Sequence, residues 1–198
     1  KKSPGQPFFL YLPINSPHLQ IVPSKEFQGR SGKGMYGDFV MQTDDFVGAI
    51  FAALKRSGIE ENTLVVFTSD NGGLWHAWDP KEADDVKNYQ PNPRGKYNRE
   101  HGQQSNGSLR GTKADIWEGG HRVPFIVKWP KAVKGGSQTD VAVEVTDLFA
   151  TIVDAAGLSL PANAAPDSFS FLRVLKQTGD RGTNRSFLVH HSIWAYFA

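Results

Sequence analysis

The sequence predicts an α/β fold with a mostly parallel sheet flanked by helices, and three stretches carry this prediction. Residues 8–12 and residues 64–67 are short, continuous apolar runs, which are typical of buried strands. Between them, from residue 36 to residue 54, apolar side chains recur at steps of three, four and seven, which predicts an amphipathic helix that ends near Gly58. A strand, a helix and a second strand in this order indicate a parallel βαβ unit.

The second half of the chain predicts further regular elements after a long aperiodic stretch. Residues 72–112 show no helical or strand periodicity, and a loop of this length is usually functional or disordered. Residues 123–129 predict another strand. Thr146 is the predicted N-cap of a helix that ends at Gly157, and a shorter helix is predicted at about residues 168–176. Residues 186–198 resemble a strand.

Composition narrows the class of protein. The chain has 198 residues, of which 39% are hydrophobic and 21% charged, a balance typical of a globular domain. A net charge of +2 without a basic run argues against nucleic acid as the partner. The absence of cysteine excludes disulfides and thiolate sites within this stretch. No apolar run approaches the roughly 18 residues of a membrane span, and no signal peptide opens the chain.

Polar residues follow each of the two predicted strands of the βαβ unit. His18 comes shortly after the first strand, and Asp70 and Asn71 directly follow the second. Ligands bind outside the carboxyl ends of strands in open α/β sheets, so parallel strands would bring these groups to one edge. Carboxylate and amide oxygens suit a hard cation such as Ca²⁺ or Mg²⁺. Taken singly, the Asp-Asn-Gly-Gly segment is more typical of a simple turn than of a metal site. His18 taken alone is likewise more typical of a surface or structural histidine than of a catalytic one.

A third cluster, residues 109–124, contains Lys113 among closely spaced glycines. Gly111, Gly119 and Gly120 indicate tight backbone paths that hold Lys113 on a constrained loop before the next strand. A lysine in this position is a point charge suited to a tetrahedral oxyanion. In isolation it could also be a solvated surface lysine.

These segments, taken together, resemble the type I sulfatases (arylsulfatase-like) of the alkaline phosphatase superfamily. The resemblance rests on Pro17-His18, on the Phe-Thr-Ser-Asp-Asn-Gly-Gly segment at residues 67–73, and on Gly-Thr-Lys at residues 111–113 leading into Glu-Gly-Gly-His-Arg-Val-Pro at residues 118–124. The motifs occur in the family's order and span nearly the whole chain. The resemblance implies an alkaline-phosphatase-like α/β fold, incomplete at its N-terminal side.

The resemblance also implies roles for individual residues. Asp70 and Asn71 correspond to ligands of the active-site cation, usually Ca²⁺, with Mg²⁺ possible. Lys113 corresponds to the lysine that contacts the sulfate, and His18 to the histidine at the sulfate, a candidate general acid. The family's nucleophile is a formylglycine within a motif that this chain lacks, so it is expected in a preceding segment together with the remaining metal ligands.

The resemblance implies that residues 1–198 are the C-terminal part of a sulfatase catalytic domain. Residues 72–112 would form a long active-site loop, and residues 186–198 the start of a truncated C-terminal segment. The expected activity is hydrolysis of aryl or carbohydrate sulfate esters, with no activity and weak or no Ca²⁺ binding in this stretch alone. The expected partner is a sulfated small molecule or polysaccharide, and the expected location is periplasmic, secreted or lysosomal.

Within the loop, Trp75, His76 and His101 are the candidate substrate contacts, although aromatic side chains there could equally pack on the loop itself. Two other functions are compatible with the sequence. One is hydrolysis of phosphonate or phosphate esters by an enzyme of the same superfamily, although Asn71 in place of a histidine favours a hard ion. The other is a non-catalytic remnant that serves as a scaffold. Residues 106–108 fit the N-glycosylation pattern, which is frequent by chance.

Overall fold

The computed structural model of the chain describes residues 5–18, 20–73, 102–177 and 185–192, which divide into two units. The first unit comprises residues 1–47 and 76–103, and the second comprises residues 48–75 and 104–198. The elements, in chain order, are α1 (Gly34–Arg56), a 3₁₀ turn (Glu60–Asn62), β1 (Val65–Thr68), α2 (Glu118–His121), β2 (Phe125–Lys128), α3 (Asp147–Ala155) and α4 (Leu172–Lys176).

The long helix α1 confirms the periodicity prediction. In the first unit, its buried Tyr36 packs with Ile21 from the preceding segment, and the partly buried Met35 and Phe39 of the helix pack against this pair. Asp38 is buried on this helix, and its carboxylate accepts hydrogen bonds from the amides of Gly29 (2.7 Å) and Ser31 (2.8 Å). Burial by itself would raise the pKa of Asp38, but these hydrogen bonds keep it below its ordinary value.

The predicted end of α1 is also confirmed. Gly58 adopts a left-handed backbone (φ 64°), and its amide donates to the carbonyl of Lys55 while the amide of Ile59 donates to that of Leu54. These bonds satisfy carbonyl groups that the last turn of a helix leaves without helical partners.

The strands β1 and β2 confirm two predicted strands but pair antiparallel. Val65 lies opposite Lys128, and Thr68 lies opposite Phe125. The end of β1 therefore lies beside the beginning of β2. The loop that precedes β2 is consequently brought to the edge where β1 ends.

The predicted first strand, residues 8–12, is wrong. No strand is assigned there, and the five side chains are exposed, Tyr11 by 75%. A strand requires a hydrogen-bonded neighbour, and among the residues that the structure describes only β1 and β2 form a sheet. The expectation that His18 reaches the site at the end of a parallel strand is therefore not supported.

Helices α3 and α4 pack on each other in the second unit. Phe171, 2% exposed, meets the ring of Phe125 edge-on with ring centres 5.5 Å apart, which joins β2 to α4. α3 ends as predicted near Gly157 (φ 71°), whereas α4 begins only at Leu172, later than the predicted residue 168.

Thr146 does not cap α3 as predicted. Its backbone is already helical, and its side chain makes no capping bond. Instead, the hydroxyl oxygen of Ser168 accepts a hydrogen bond from the amide of Ala150 (2.9 Å) and donates to the carbonyl of Thr146 (2.7 Å). The first turn is thus stabilised by a side chain about twenty residues away in sequence, which a local pattern does not reveal.

Residues 185–192 pack in the second unit without forming the predicted strand. Only His191 makes an isolated bridge, and residues 193–198 lie outside the described residues. The segment is anchored instead by Arg185, whose guanidinium binds Asp147 and Glu144. In the part of the chain that the structure describes, no helix has both the length and the apolar character that crossing a membrane requires.

Candidate active site

The turn after β1 carries the two predicted metal ligands. Asp70 is exposed at the end of the strand and Asn71 is half-buried. The hydroxyl of Ser69 donates to the carbonyl of Asn71 (2.9 Å), and the amide nitrogen of Asn71 donates to the carbonyl of Gly72 (3.0 Å). The side-chain nitrogen of Asn71 is thus turned to the backbone, and its oxygen is the acceptor that the residue offers to a ligand.

The loop that carries Lys113 is a constrained turn, as its glycines predict. Gly111 (φ 82°) and Ala114 (φ 79°) have left-handed backbones, and the amide of Asp115 donates to the carbonyl of Thr112 (2.9 Å). The carboxylate of Asp115 accepts hydrogen bonds from the amide (3.0 Å) and the hydroxyl (3.3 Å) of Thr112. These bonds fix the backbone on both sides of Lys113.

Direct backbone hydrogen bonds join the turn to the lysine loop. The amide of Lys113 donates to the carbonyl of Gly73 (3.1 Å), and the amide of Gly72 donates to the carbonyl of Gly120 (2.9 Å). The structure therefore brings the segments of Asp70, Asn71 and Lys113 to one edge of the β1–β2 pair. The antiparallel pairing accounts for this placement, since it puts the lead-in to β2 beside the end of β1.

Three glycines allow close backbone packing here, Gly72 between the turn and the lysine loop, and the other two within the lysine loop. A Cβ atom on Gly72 would overlap the carbonyl oxygen of Gly119, and one on Gly119 would overlap the carbonyl oxygen of Gly111. A Cβ atom on Gly120 would overlap the carbonyl oxygen of Asp115. The contacts are with backbone atoms, which cannot rotate away. Glycine at residue 72 is therefore required for the turn to approach the loop this closely, and glycine at residues 119 and 120 for the loop to fold this tightly on itself.

Asn106 also joins the two segments, and the sequence had indicated it only as part of a glycosylation pattern. Its side-chain oxygen accepts a hydrogen bond from the amide of Gly73 (2.8 Å), and its side-chain nitrogen donates to the carbonyl of Gly111 (3.0 Å). Asn106 lies three residues before the Leu-Arg-Gly-Thr-Lys segment, but this position indicates a structural role only once its hydrogen-bond partners are known.

His18 lies in the first unit, whereas Asp70, Asn71 and Lys113 belong to the second. Its amide donates to the carbonyl of Asn15 (2.8 Å). An open pocket of about 480 Å³ in the same unit is lined by Asn15, His18, Gln20, Val22 and Phe39. The predicted substrate contacts Trp75, His76 and His101 lie outside the described residues.

The residues present fit part of a cation site. Asp70 and Asn71 are adjacent oxygen donors, the chemistry that Ca²⁺ or Mg²⁺ prefers. Within residues 5–18, 20–73, 102–177 and 185–192, no three His, Asp, Glu or Cys side chains group as a metal site. Because Ca²⁺ takes about six to eight oxygen ligands, these two residues would supply a minority of its shell.

A histidine cluster lies beside the lysine loop. The ring of His121 stacks on that of His190 with centres 4.4 Å apart, and the ring of His191 is 6.1 Å away. Burial and the neighbouring His190 lower the pKa of His121, so the neutral form is favoured. Its Nε2 atom is buried with no hydrogen-bond partner among the described residues.

The family model described as Sulfatase matches residues 1–158. The chain belongs to the sulfatase family. Among curated relatives of this sulfatase chain, an N-acetylgalactosamine-6-O-sulfatase of Bacteroides thetaiotaomicron is 35% identical over 95% of the chain and 34% of its own length. The steryl-sulfatase of Homo sapiens is 33% identical over 93% of the chain and 29% of its own length.

Solved structures support the same conclusion. One from a study of glycosaminoglycan metabolism by Bacteroides thetaiotaomicron matches with a TM-score of 0.80 and 32% identity, over 98% of this chain and 37% of that one. The likeness confirms the predicted alkaline-phosphatase-like α/β fold class. The chain spans about a third of the length of the curated relatives it matches. Sulfatases in general use a metal ion and a formylglycine.

Proposed function

We propose that the protein containing this chain hydrolyses sulfate esters, with Asp70 and Asn71 as Ca²⁺ ligands and Lys113 as a sulfate contact. The observation that carries the proposal is the hydrogen bond from the amide of Lys113 to the carbonyl of Gly73 (3.1 Å), two residues after Asn71. It supports a common site because it joins the loop of the cationic side chain to the turn that carries the oxygen ligands.

The charges of these residues match the chemistry. Hydrolysis of a sulfate ester builds negative charge on the leaving oxygen, which a fixed cation and a proton donor stabilise. Lys113 would contribute a compact positive charge that binds a sulfate oxygen. Asp70 and Asn71 would hold a divalent cation that, when bound, polarises sulfate oxygens. By the family resemblance, His18 is the proposed donor of the proton to the leaving oxygen.

The proposal extends to a substrate class and to the other parts of the site. One relative is named for a sulfated carbohydrate and another is an arylsulfatase, so we propose an aryl or carbohydrate sulfate ester. Trp75, His76 and His101 are the proposed substrate contacts. The formylglycine and the remaining cation ligands would come from residues other than these 198, and the proposed location is periplasmic, secreted or lysosomal.

The experiment that tests the proposal compares 4-nitrophenyl sulfate, phosphate and phenylphosphonate as substrates of the complete protein. We expect sulfate hydrolysis that EDTA abolishes and Ca²⁺ restores. Lys113→Ala should lower kcat on the sulfate by about 10²-fold or more, as loss of an oxyanion-stabilising group does. Lys134→Ala, which removes an exposed lysine of the same unit, is the matched control and should leave kcat unchanged.

Two results would contradict the proposal. Preferential hydrolysis of the phosphate or phosphonate would assign the protein to the alternative ester class of the superfamily. No hydrolysis of the three aryl esters or of a sulfated carbohydrate, N-acetylgalactosamine 6-sulfate, by a folded complete protein that carries a formylglycine would favour the non-catalytic scaffold.

The isolated 198-residue chain should turn over no sulfate ester and should bind Ca²⁺ weakly, because Asp70 and Asn71 provide few of the ligands required. Calorimetric titration with Ca²⁺ measures this directly. Tight binding at one ion per chain would show that the chain completes the site by itself and would refute this part of the proposal.

A further inference from the structure

We propose that Asn106 is a positioning residue that sets the distance between the cation-ligand turn and the Lys113 loop. The inference rests on the proposed function, because it assigns Asn106 a role in that site. Asn106 is half-buried and lies five residues before Gly111 in the chain. Gly73 follows Asn71 by two residues and Gly111 precedes Lys113 by two, so a side chain that binds both glycines acts on both functional segments.

The hydrogen bonds of Asn106 define this role. Its Oδ1 atom accepts from the amide of Gly73 (2.8 Å). Its Nδ2 atom donates to the carbonyl of Gly111 (3.0 Å) and makes a longer contact with the carbonyl of Gly73 (3.5 Å). One planar amide thus binds a donor on the turn and an acceptor on the loop, and its length fixes their separation.

The chemistry of these contacts selects asparagine. Aspartate has the same shape, but it lacks the N–H groups and would place a negative oxygen against the carbonyl oxygen of Gly111. Serine is too short to reach both partners. Gly73 is part of the same fit, since a Cβ atom there would lie 2.7 Å from the Cβ of Ser105 and 2.9 Å from Oδ1 of Asn106.

Loss of Asn106 should loosen the site more than the fold. The bonds from Lys113 to Gly73 and from Gly72 to Gly120 involve backbone atoms alone and remain when the side chain changes. The two segments would stay joined by those bonds but would lose the hydrogen bonds that the side-chain amide makes to Gly73 and Gly111. Residues that orient metal ligands typically cost about 10–100-fold in metal affinity or activity when replaced.

The test uses the complete protein and three variants. Asn106→Asp removes the side-chain donor, and Asn106→Ser removes the amide without adding a charge. The control, Asn62→Asp, makes the same asparagine-to-aspartate substitution at an exposed residue of the 3₁₀ turn. The measurements are kcat and KM on 4-nitrophenyl sulfate, the Ca²⁺ concentration that gives half of the Ca²⁺-dependent rise in melting temperature, and hydrogen exchange of residues 70–73 and 111–113. The melting and exchange measurements do not depend on turnover.

For both Asn106 variants we expect a half-saturating Ca²⁺ concentration raised about 10-fold or more, faster exchange in the two segments, and kcat at saturating Ca²⁺ lowered about 10-fold with KM nearly unchanged. Asn62→Asp should match the wild type in all three. An Asn106→Asp or Asn106→Ser variant that matches Asn62→Asp would overturn the positioning role while sulfate hydrolysis by the wild type stands.

If neither Asn106 variant folds, Asn106 is a residue required for stability and not one that positions the two segments, which would also overturn the proposal. If the wild type hydrolyses no sulfate ester, the proposed function fails. The Ca²⁺ and exchange results then still decide whether Asn106 holds the two segments together.

Discussion

Replacing Arg185 with methionine should destabilise the second unit strongly, although Arg185 lies in a chain segment without regular structure. The side chain of Arg185 is 5% exposed and binds the side chain of Asp147, which is 0% exposed, through Nε (3.0 Å) and Nη2 (2.6 Å). Its Nη1 binds Glu144 (2.8 Å), and its Nη2 also donates to the carbonyl of Asp167 (2.7 Å). Methionine keeps most of the aliphatic volume and removes the charge.

The expected loss of stability depends on the hydrogen bonds that Asp147 keeps in the variant. Removing one partner of a buried ion pair costs about 3–5 kcal/mol, because the other charge stays buried. Asp147 would keep the hydrogen bonds from the amides of Glu144 (2.9 Å) and Phe169 (2.9 Å), so we expect about 3 kcal/mol, the lower end of that range. In a protein of this size, that corresponds to a fall in Tm of about 6–12 °C.

The assay is thermal and urea unfolding of Arg185→Met beside Arg122→Met. Arg122 pairs with Glu118 at 3.0 Å on α2, but both side chains are more than half exposed, so its loss should cost no more than about 0.5 kcal/mol. The two variants differ in burial and not in the chemical change. A cost for Arg185→Met within about 1 kcal/mol of that for Arg122→Met would refute the reasoning.

The pH dependence provides a second check. Burial would raise the pKa of Asp147, but the hydrogen bonds from Arg185 and from the backbone hold it below its ordinary value. The wild-type contribution is therefore complete above the unfolded pKa, about 3.9, and is lost as pH falls through the folded pKa. Without Arg185 the carboxyl protonates more readily, so the stability gap between variant and wild type should narrow as pH approaches 4.

Two further predictions concern the region around the lysine loop. Gly72→Ala should lower the free energy of unfolding by about 1–3 kcal/mol and reduce sulfate hydrolysis, because its Cβ would overlap the carbonyl of Gly119. Gly48→Ala, in the open interior of α1, should instead raise the free energy of unfolding by about 1 kcal/mol. Equal effects of the two variants in unfolding experiments would contradict this contrast. Because His121 has a lowered pKa beside His190, its contribution to stability is complete above about pH 6.5 and falls as pH drops toward the folded pKa. His121→Asn should flatten that dependence in urea midpoints measured between pH 7.5 and 5, and an unchanged slope would show that other groups cause it.

Local patterns predicted the elements that depend on local interactions. The apolar period of α1 and the left-handed glycine at residue 58 both act within a few residues, so the helix and its end were visible in the sequence. The apolar runs at β1 and β2 were visible for the same reason. The run at residues 8–12 has the same composition without a paired neighbour in the described chain, and composition alone cannot distinguish the two cases.

The remaining features depend on contacts between residues distant in sequence. Strand direction depends on pairing partners, so a pattern that indicated a parallel unit gave no sign of the antiparallel β1–β2 pair. The support of α3 by Ser168 arises from residues that meet only after folding. The motifs predict Asp70, Asn71 and Lys113 as site residues, and the structure joins their segments by backbone hydrogen bonds, whereas Asn106 needed the geometry of its two glycine partners.

The hydrogen bonds of Asn106 bear on the choice of host for producing this protein. Asn106, Gly107 and Ser108 form an acceptor triplet that the oligosaccharyltransferase of a eukaryotic secretory pathway reads on the unfolded chain. A sugar on Nδ2 would occupy the atom that must later approach the carbonyl of Gly111. Material secreted by yeast or mammalian cells would then divide into modified and unmodified molecules that differ in the contact between Asn106 and Gly111, whereas bacterial production would give one form.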